Sequence, residues 1–466
     1  MPHSLTTDLL PHQYDGFRKL VALRVGALFM EMGTGKSLTA IAIAMARQDK
    51  IDHVVWFCPV SVKTTIRHEI LKHTDYNESD IYIFDEKTTE DDLPSVQWYI
   101  VGIESMSSSP RIVFSADALI TDNSMVIVDE SGYIKGHNSL RTNRITLISE
   151  IARYRLILNG TPITQGVQDL FSQMKFLSPK ILGYRSWYTF ARRHLEYSDR
   201  YKGMIVRVHH TQEIAEKIEP YAYQVMKEDC LTLPNKLYET RYCSLTLEQR
   251  EAYERAKEWF AESMLSFEEE WTSSILIFKL FSQLHHIACG FDRVCGEVVS
   301  LRHHRTDALS NMLQSIPEHE KVVIWSMYHN GIRDIASVLP EEDIFQYHGK
   351  IPERKRSCIL DEWRRHGKYL IATPTSGGHG IDLICANYVI FYSNGFKYSD
   401  RLQAEDRTHR IGQEKRVTYI DIWADCGIEN KISLALANKG DTLDSFRREL
   451  RQTKTREQIL EKIAEL

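Results

Sequence analysis

Two clusters of residues have the types and the spacing to do chemistry. The first is Gly33-Thr34-Gly35-Lys36-Ser37, which follows the apolar run Ala27–Phe29 and precedes Leu38-Thr-Ala-Ile-Ala-Ile-Ala-Met. Strand, glycine turn and helix in that order make a phosphate-binding loop. The glycines let backbone N–H groups close on phosphate oxygens, and a helix N-terminus favours an anion. Lys36 then supplies a point charge to β- and γ-phosphates, and the Ser37 hydroxyl is a ligand for Mg²⁺. The longer form of the loop needs a glycine where this chain has Met30, so the shorter form with Gly33 and Gly35 is the one that fits. The second cluster is the run Gln403 to Gln413, QAEDRTHRIGQ. Arg407 and Arg410 are three apart, which predicts that both lie on one face of a helix. Taken alone they read as a solvated face, or as ion pairs with Glu405 and Asp406. Beside a γ-phosphate they would stabilise transferring charge.

A third pair, Asp129 and Glu130, directly follows the apolar run Met125–Val128. An acid at the carboxyl end of a buried parallel strand lies in the crevice where ligands bind. Asp129 is expected to hold Mg²⁺ through water, and Glu130 to polarise an attacking water. A phosphate cradle far upstream and an arginine pair far downstream predict a site assembled between two domains. ATP would then be a removable link whose hydrolysis changes how the halves sit.

These residues need elements to position them. Apolar runs at Ala27–Phe29, Val54–Phe57, Ile81–Phe84, Trp98–Val101, Met125–Val128 and Leu156–Leu158 read as buried strands of a parallel sheet with crossover helices. After about residue 305 the rhythm resumes at Val322–Trp325, Ile344–Tyr347, Tyr369–Ala372, Tyr388–Phe391 and Val417–Ile422. Helical patterns over Glu353–Arg364 and Ser399–Arg410 lie between them. The fold class is therefore α/β, with a second lobe that lacks a glycine–lysine loop of its own. Its glycine cluster, Thr373 to Asp382, follows a strand and allows a ligand to come close. Thr246 and Gln249 form a capping box, and Ala252, Tyr253, Ala256, Trp259, Phe260 and Met264 recur at helical spacing as a packing stripe. Arg185-Ser-Trp-Tyr-Thr-Phe-Ala-Arg-Arg mixes basic and aromatic residues, as a DNA-facing patch or a solvated amphipathic helix would. Asp441–Leu466 is charged and reads as a terminal helix.

Bulk properties narrow the class. A chain of 466 residues exceeds one ordinary core, and 43% hydrophobic with 10% aromatic residues is a globular composition. No run approaches the roughly 20 apolar residues of a membrane span. The N-terminus lacks a secretory pattern, and the eight cysteines include no C-x-x-C pair, so reduced thiols in the cytoplasm are expected, or in the nucleus of a eukaryote. The net charge of −5 excludes a polycation, so nucleic acid would have to meet a local basic surface. His285, His286, Cys289, Cys295, His303 and His304 raise zinc, but without knuckle spacing no zinc site is expected.

In their order along the chain, these motifs resemble the Swi/Snf-related ATPases, the double-stranded DNA translocases of helicase superfamily 2. L-L-P-H-Q-Y-D-G-F is similar to the family's first motif, which implies that Gln13 reads the adenine edge. E-M-G-T-G-K-S resembles its phosphate loop, with Gly33, Thr34, Gly35, Lys36 and Ser37 on ATP. C-P-V-S-V-K resembles the segment touching the DNA backbone, which implies Pro59, Ser61 and Lys63. D-E-S-G-Y-I-K-G resembles the acidic motif, and R-L-I-L-N-G-T-P-I-T-Q the motif coupling nucleotide state to DNA, which implies Gly160 and Thr161. K-V-V-I-W-S, S-G-G-H-G-I-D-L and the arginine run complete the second lobe. There the resemblance implies ATP contacts at Gly380 and Asp382 and DNA contacts at His348, Gly349, Thr375 and Ser376. One departure is Gly132, where the family carries a histidine that relays DNA contact to the ATP site. Coupling is then looser, or routed through another side chain.

The resemblance implies two tandem RecA-like lobes with helical insertions between them. The expected boundaries are 1–235 for the ATP-binding lobe, with an insertion at about 180–230, then 236–305 for a helical protrusion or linker, and 306–466 for the helicase lobe with its terminal helix. It implies a DNA-dependent ATPase using ATP and Mg²⁺, acting on double-stranded DNA, with single-stranded DNA or RNA left open and no membrane. A minimal stand-alone motor of phage or bacterial type is expected. The alternatives are a strand-separating DNA or RNA helicase, or a nucleotide-gated DNA clamp with little turnover that acts as a subunit of a restriction or recombination complex.

Overall fold

Strands buried on both faces call for unbroken Val, Ile and Leu, and the computed structural model gathers such runs into two all-parallel sheets. It describes residues 3–160, 162–163, 166–197, 205–266, 274–294, 297–377, 381–443, 445–446, 449 and 456–466. The chain divides into two compact units, Met1–Thr232 and Leu233–Leu466.

The first unit contains β1 (Val25–Met30), β2 (Val54–Cys58), β3 (Ile81–Ile83), β4 (Trp98–Gly102), β5 (Met125–Val128) and β6 (Tyr154–Leu158). A short antiparallel pair follows, β7 (Leu195–Tyr197) with β8 (Ile205–Val208), and then β9 (Ala222–Val225). The main sheet runs β3-β4-β2-β5-β6-β1-β9, so the phosphate loop after β1 and the acids after β5 flank the end of β6. Alternate residues feed two cores. Val55, Phe57, Val126, Val128 and Ile157 pack with Phe171, Met174 and Phe190 on one face, while Trp56, Ile127 and Leu156 pack with Ile41, Ile66 and Ile70 on the other. Each such side chain contributes about 1.5–3 kcal/mol by leaving water. The insertion at about 180–230 holds the helices Trp187–His194 and Thr211–Ile218, yet it ends by giving β9 to the main sheet, with Ala27 opposite Ala222.

The second unit begins with β10 (Leu237–Cys243), followed after two long helices by the hairpin β11 (Phe291–Val294) and β12 (Glu297–Ser300). Then come β13 (Val322–Trp325), β14 (Ile344–Tyr347), β15 (Tyr369–Ala372), β16 (Tyr388–Phe391) and β17 (Thr418–Ala424). The sheet order is β10-β17-β16-β13-β15-β14. The segment 236–305, expected to be helical, does carry the helices Leu247–Ser266 and Ser274–Ala288, but it opens on a sheet strand and closes on a hairpin. β10 shows no apolar run because six of its seven residues are exposed.

Thr246 and Gln249 cap the first of those helices reciprocally, with Gln249 Oε1 accepting from the Thr246 amide (3.1 Å) and Thr246 Oγ1 from the Gln249 amide (3.2 Å). Ala252, Tyr253, Ala256 and Phe260 are buried against Phe281, Ile428 and Ile432, whereas Trp259 is 56% exposed. The stripe is thus narrower than its spacing implies, and it packs into the second unit's own core. Helix Glu353–His366 runs two residues beyond the expected range, and within the charged C-terminal stretch Arg456–Ala464 is helical.

Candidate nucleotide-binding site

The loop after β1 has the backbone an anion site requires. Gly33 and Gly35 have φ of 81° and 87°, left-handed values that cost glycine nothing. Gly35 caps helix Lys36–Met45, and the start of a helix is where N–H groups can meet an anion. Thr34 is fully buried, and its hydroxyl donates to the Glu31 carbonyl (2.7 Å). His12 and Gln13 hold the loop from helix Pro11–Leu20, with His12 Nε2 2.8 Å and Gln13 Nε2 3.0 Å from the Thr34 carbonyl. Gln13 Oε1 accepts from the Leu10 amide (3.0 Å). The Gln13 amide therefore braces the phosphate loop and retains one N–H and one lone pair for any further partner. A Cβ on Gly35 would lie 2.0 Å from Gln13 Nε2, so only glycine allows this approach.

The acids lie where the sheet order puts them. Asp129 is buried, with its amide on the Phe57 carbonyl. Burial, then the charge of Glu130, push its carboxyl up to about 7, against the opposing pull of Lys36 and the Glu130 amide. Glu130 is one of three non-glycine residues with positive φ among those described, at φ 49° and ψ 57°. Its amide donates to Asp129 Oδ1 (2.9 Å), which folds the pair into a tight corner at the strand end. Left-handed backbone at a bulky acid is strained and collects at functional sites. Between the two clusters, at the end of β6, Gly160 has the Lys36 ammonium 3.5 Å from where a Cβ would be. Lys36, Gly160, Asp129 and Glu130 thus form one neighbourhood at the carboxyl edge of the sheet.

A divalent cation suits this donor set. A buried carboxyl held partly protonated beside a second acid gains from a dication, and Ser37 sits at the first turn of the phosphate-loop helix.

In the second unit the arginine run departs from the expected helix. Helix Tyr398–Glu405 stops two residues before Arg407. The Glu405 carbonyl accepts from the Thr408 hydroxyl (3.0 Å), the Tyr419 hydroxyl (3.0 Å) and the amides of Thr408 and His409 (both 3.1 Å). The amides of Arg407 and Thr408 bond three residues back, to the Ala404 and Glu405 carbonyls, so the chain leaves the α-helix in tighter turns. The alternative of Glu405 pairing with either arginine is not observed, because Glu405 is taken by Arg401 and Lys236 (both 2.8 Å). Arg401 in turn chelates Asp421 and stacks 3.5 Å over Phe391. His409 reaches the Pro234 carbonyl and Gln413 the Ile384 carbonyl. Thr408 and His409, between the arginines, are thus tied into the fold, and Arg407 and Arg410 are part-exposed beside them.

A model of the SNF2-related domain matches residues 17–290, well over half of the chain, and one of the helicase conserved C-terminal domain matches residues 304–412. The chain belongs to the SNF2-related family. The DNA annealing helicase and endonuclease ZRANB3 of Mus musculus is 24% identical over 97% of this SNF2-related chain and 42% of its own length. A Caenorhabditis elegans homologue of the SWI/SNF-related matrix-associated actin-dependent regulator of chromatin subfamily A-like protein 1 is 27% identical over 90% of the chain and 59% of its own length. The chain therefore spans less than two thirds of these relatives. Among solved structures, the Sulfolobus solfataricus SWI2/SNF2 ATPase core in complex with dsDNA aligns over 99% of this chain and 98% of its own, with 21% identity and a TM-score of 0.44.

The remaining family positions are scattered over both units. Pro59 and Ser61 follow β2, and the Lys63 ammonium donates to the Phe84 carbonyl (2.8 Å). Gly160, Pro162 and Ile163 line an open cavity of about 1300 Å³ with Arg18, Lys19 and Met226. His348 is buried, 3.2 Å from Gln346 Oε1, while the Gly349 carbonyl accepts from Arg356 (3.2 Å). Thr375 lies in the turn of helix after β15, and Asp382 accepts from the Ile384 amide (3.2 Å). Thr161, Gln165, Gly380 and Cys295 lie outside the described residues, as do the side chains of Ser376 and Met264. In the patch Arg185 to Arg193, Tyr188 is 81% exposed, Trp187 stacks on His137 and Arg193 pairs with Glu213. Among the described residues, no helix is long and apolar enough to cross a membrane.

Of the residues that raised zinc, His285 and Cys289 come together with Glu429, their ligand atoms within 4.8 Å of one another. A cation already occupies that cluster. The Arg305 guanidinium sits 2.5 Å from Glu429 with both side chains fully buried, and it also donates to the Tyr392 and Ile422 carbonyls. His286, His303 and His304 are not part of the group.

Proposed function

We propose that this chain is a DNA-dependent ATPase that translocates along double-stranded DNA, using ATP and Mg²⁺. The observation that carries the reading is the convergence of Lys36, Gly160 and the strained Asp129–Glu130 corner beside a glycine loop that opens a helix. The loop amides and Lys36 bind the β- and γ-phosphates. Glu130 orients the attacking water and takes its proton. Ser37, and Asp129 through water, would hold Mg²⁺, which would supply neutralising charge to the phosphate oxygens. Gln13 reads the adenine edge with the capacity its bracing bonds leave. Arg407 and Arg410 are assigned to the γ-phosphate, where they stabilise the charge that develops on transfer. DNA is held through its phosphates by Pro59, Ser61, Lys63, the Gly160–Thr161 segment, His348, Gly349, Thr375 and Ser376, which gives sequence-independent, salt-sensitive binding.

The test is steady-state ATP hydrolysis without nucleic acid and with single-stranded DNA, duplex DNA or RNA. Duplex DNA stimulates the wild type, Lys36→Ala and Glu130→Gln abolish turnover, and Arg407→Ala loses turnover while keeping most nucleotide affinity. Near-normal turnover in Lys36→Ala would sink the site assignment. Turnover indifferent to every nucleic acid would remove the translocase reading.

A further inference from the structure

Gln173 lies in helix Asp169–Leu177 and is fully buried beside Leu170, Phe171 and Met174. A primary amide in such surroundings needs all of its hydrogen-bonding capacity met. Here it is met, and the partners are informative. Oε1 accepts from Ser131 Oγ (2.6 Å) and from Asn159 Nδ2 (3.5 Å). Nε2 donates to the Pro162 carbonyl (3.0 Å) and to the Asp169 carbonyl within its own helix (2.8 Å). Three of the four partners therefore come from outside the helix, and they belong to two segments only.

The first segment is the acid corner, since Ser131 directly follows Glu130, whose left-handed backbone sets where its carboxylate points. The second is the stretch after β6, where Asn159 and Pro162 flank the Gly160 that packs on the Lys36 ammonium. Gly132 contributes no side chain to this junction. A Cβ built there would meet only Asn159 Nδ2 within 4 Å, at 3.6 Å. Gly160 and Pro162 also line the open cavity, so this side of the junction faces space that a ligand can enter. An apolar side chain at position 173 would fill the same space without joining the two segments.

We propose that Gln173 is a positioning residue that sets Glu130 according to where Asn159 and Pro162 stand, so that DNA contact beside them is felt at the hydrolytic corner. Its planar amide bonds Ser131 on one side and the Pro162 carbonyl on the other, so a shift of one partner is passed to the other. This inference rests on the ATPase reading above.

The test measures ATP turnover with and without duplex DNA, together with the KM for ATP and thermal unfolding, for Gln173→Leu, Ser131→Ala and the double variant. The expected result is a loss of DNA-stimulated kcat of roughly ten- to a hundredfold, with KM and DNA-free turnover within about threefold of wild type. Because the two residues act through one bond, the double variant is no worse than the more affected single variant. Ser131→Ala leaves the core volume nearly unchanged and carries the test even where Gln173→Leu fails to fold. Full DNA stimulation in Ser131→Ala or in a folded Gln173→Leu overturns the proposal, as does a parallel loss of basal and stimulated turnover with a fall in unfolding temperature. Wild-type hydrolysis that survives Lys36→Ala removes the ATPase reading and this inference together. Hydrolysis that is lost in Lys36→Ala but keeps its DNA response without the Gln173 amide removes this inference alone.

Discussion

The left-handed backbone at Glu130 separates two effects that a single substitution would confound. At φ 49° the residue stores the steric cost of Cβ against its carbonyl, about 1–2 kcal/mol for a side chain of this kind. It also carries a charge that raises the carboxyl of Asp129. Glu130→Gln removes the charge and keeps the shape and the strain. Glu130→Asn removes the charge and places at this position a residue that visits the left-handed region readily. The difference between the two variants therefore isolates the strain. We expect Asn to be more stable than Gln by about 1 kcal/mol, which in a cooperative unit of this size raises the unfolding temperature by about 2–4 °C. Glu130→Gly relieves the strain too, but added freedom in the unfolded chain offsets roughly 0.5–1 kcal/mol of it, so it falls between them. All three variants lose hydrolysis. The assay is urea unfolding of nucleotide-free protein, with equal slopes required before midpoints are compared. An Asn variant no more stable than the Gln variant would refute the strain argument and leave charge as the whole of Glu130's effect on stability.

Gly35→Ala meets both the Gln13 amide and an unfavourable φ, so nucleotide affinity measured with a fluorescent analogue should fall at least about tenfold, since a perturbation near 1.4 kcal/mol suffices for that; unchanged affinity would show that the loop relaxes freely. Arg305→Met strands the fully buried Glu429 and should cost about 3–5 kcal/mol in chemical unfolding, most of it recovered in Arg305→Met/Glu429→Leu; a single variant as stable as the double one would contradict this. The adjacent histidines predict opposite pH limits for the second unit. His285 is pushed up to about 9: burial alone would lower it, but Cys289 and Glu429 more than compensate, so its contribution is whole below pH 6.5 and lost as pH rises through 9. Burial, with His285 and Arg293 nearby, pushes His286 down to about 4, so its contribution is whole above pH 6.5 and lost as pH falls towards 4. Unfolding midpoints should peak between these limits, and His285→Gln should flatten the alkaline side and, by removing one charge that depresses His286, soften the acid side.

The central strands were legible because a strand buried on both faces allows almost nothing but Val, Ile, Leu and aromatic residues, as in Val322–Trp325 or Met125–Val128. β9 and β10 were not, because edge strands have one side in water and carry Gln, Glu, Thr and Arg. The phosphate loop was legible through its glycines, whose positive φ is a property of the residue type. The same conformation at Glu130 was invisible, since no sequence pattern marks an acid forced into it by its surroundings. Spacing misplaced Arg407 and Arg410 on a helix because periodicity cannot show that the amides of Arg407 and Thr408 bond three residues back and not four. Gln173 escaped for a similar reason. Its position reads as one more turn of a core helix, and only the partners of its amide distinguish it.

The pairing of β10 with β17 has a consequence for how the protein is made. β10 is among the first residues of its unit to leave the ribosome, and among the described residues its one neighbour in the sheet follows roughly 180 residues later. At about 5–20 residues per second, a strand with open hydrogen-bonding groups waits on the order of ten to thirty-five seconds for its partner. Its composition, Leu237-Tyr-Glu-Thr-Arg-Tyr-Cys243, suits that wait. A glutamate and an arginine in the middle discourage pairing with other nascent chains, which an apolar strand of the same length would invite.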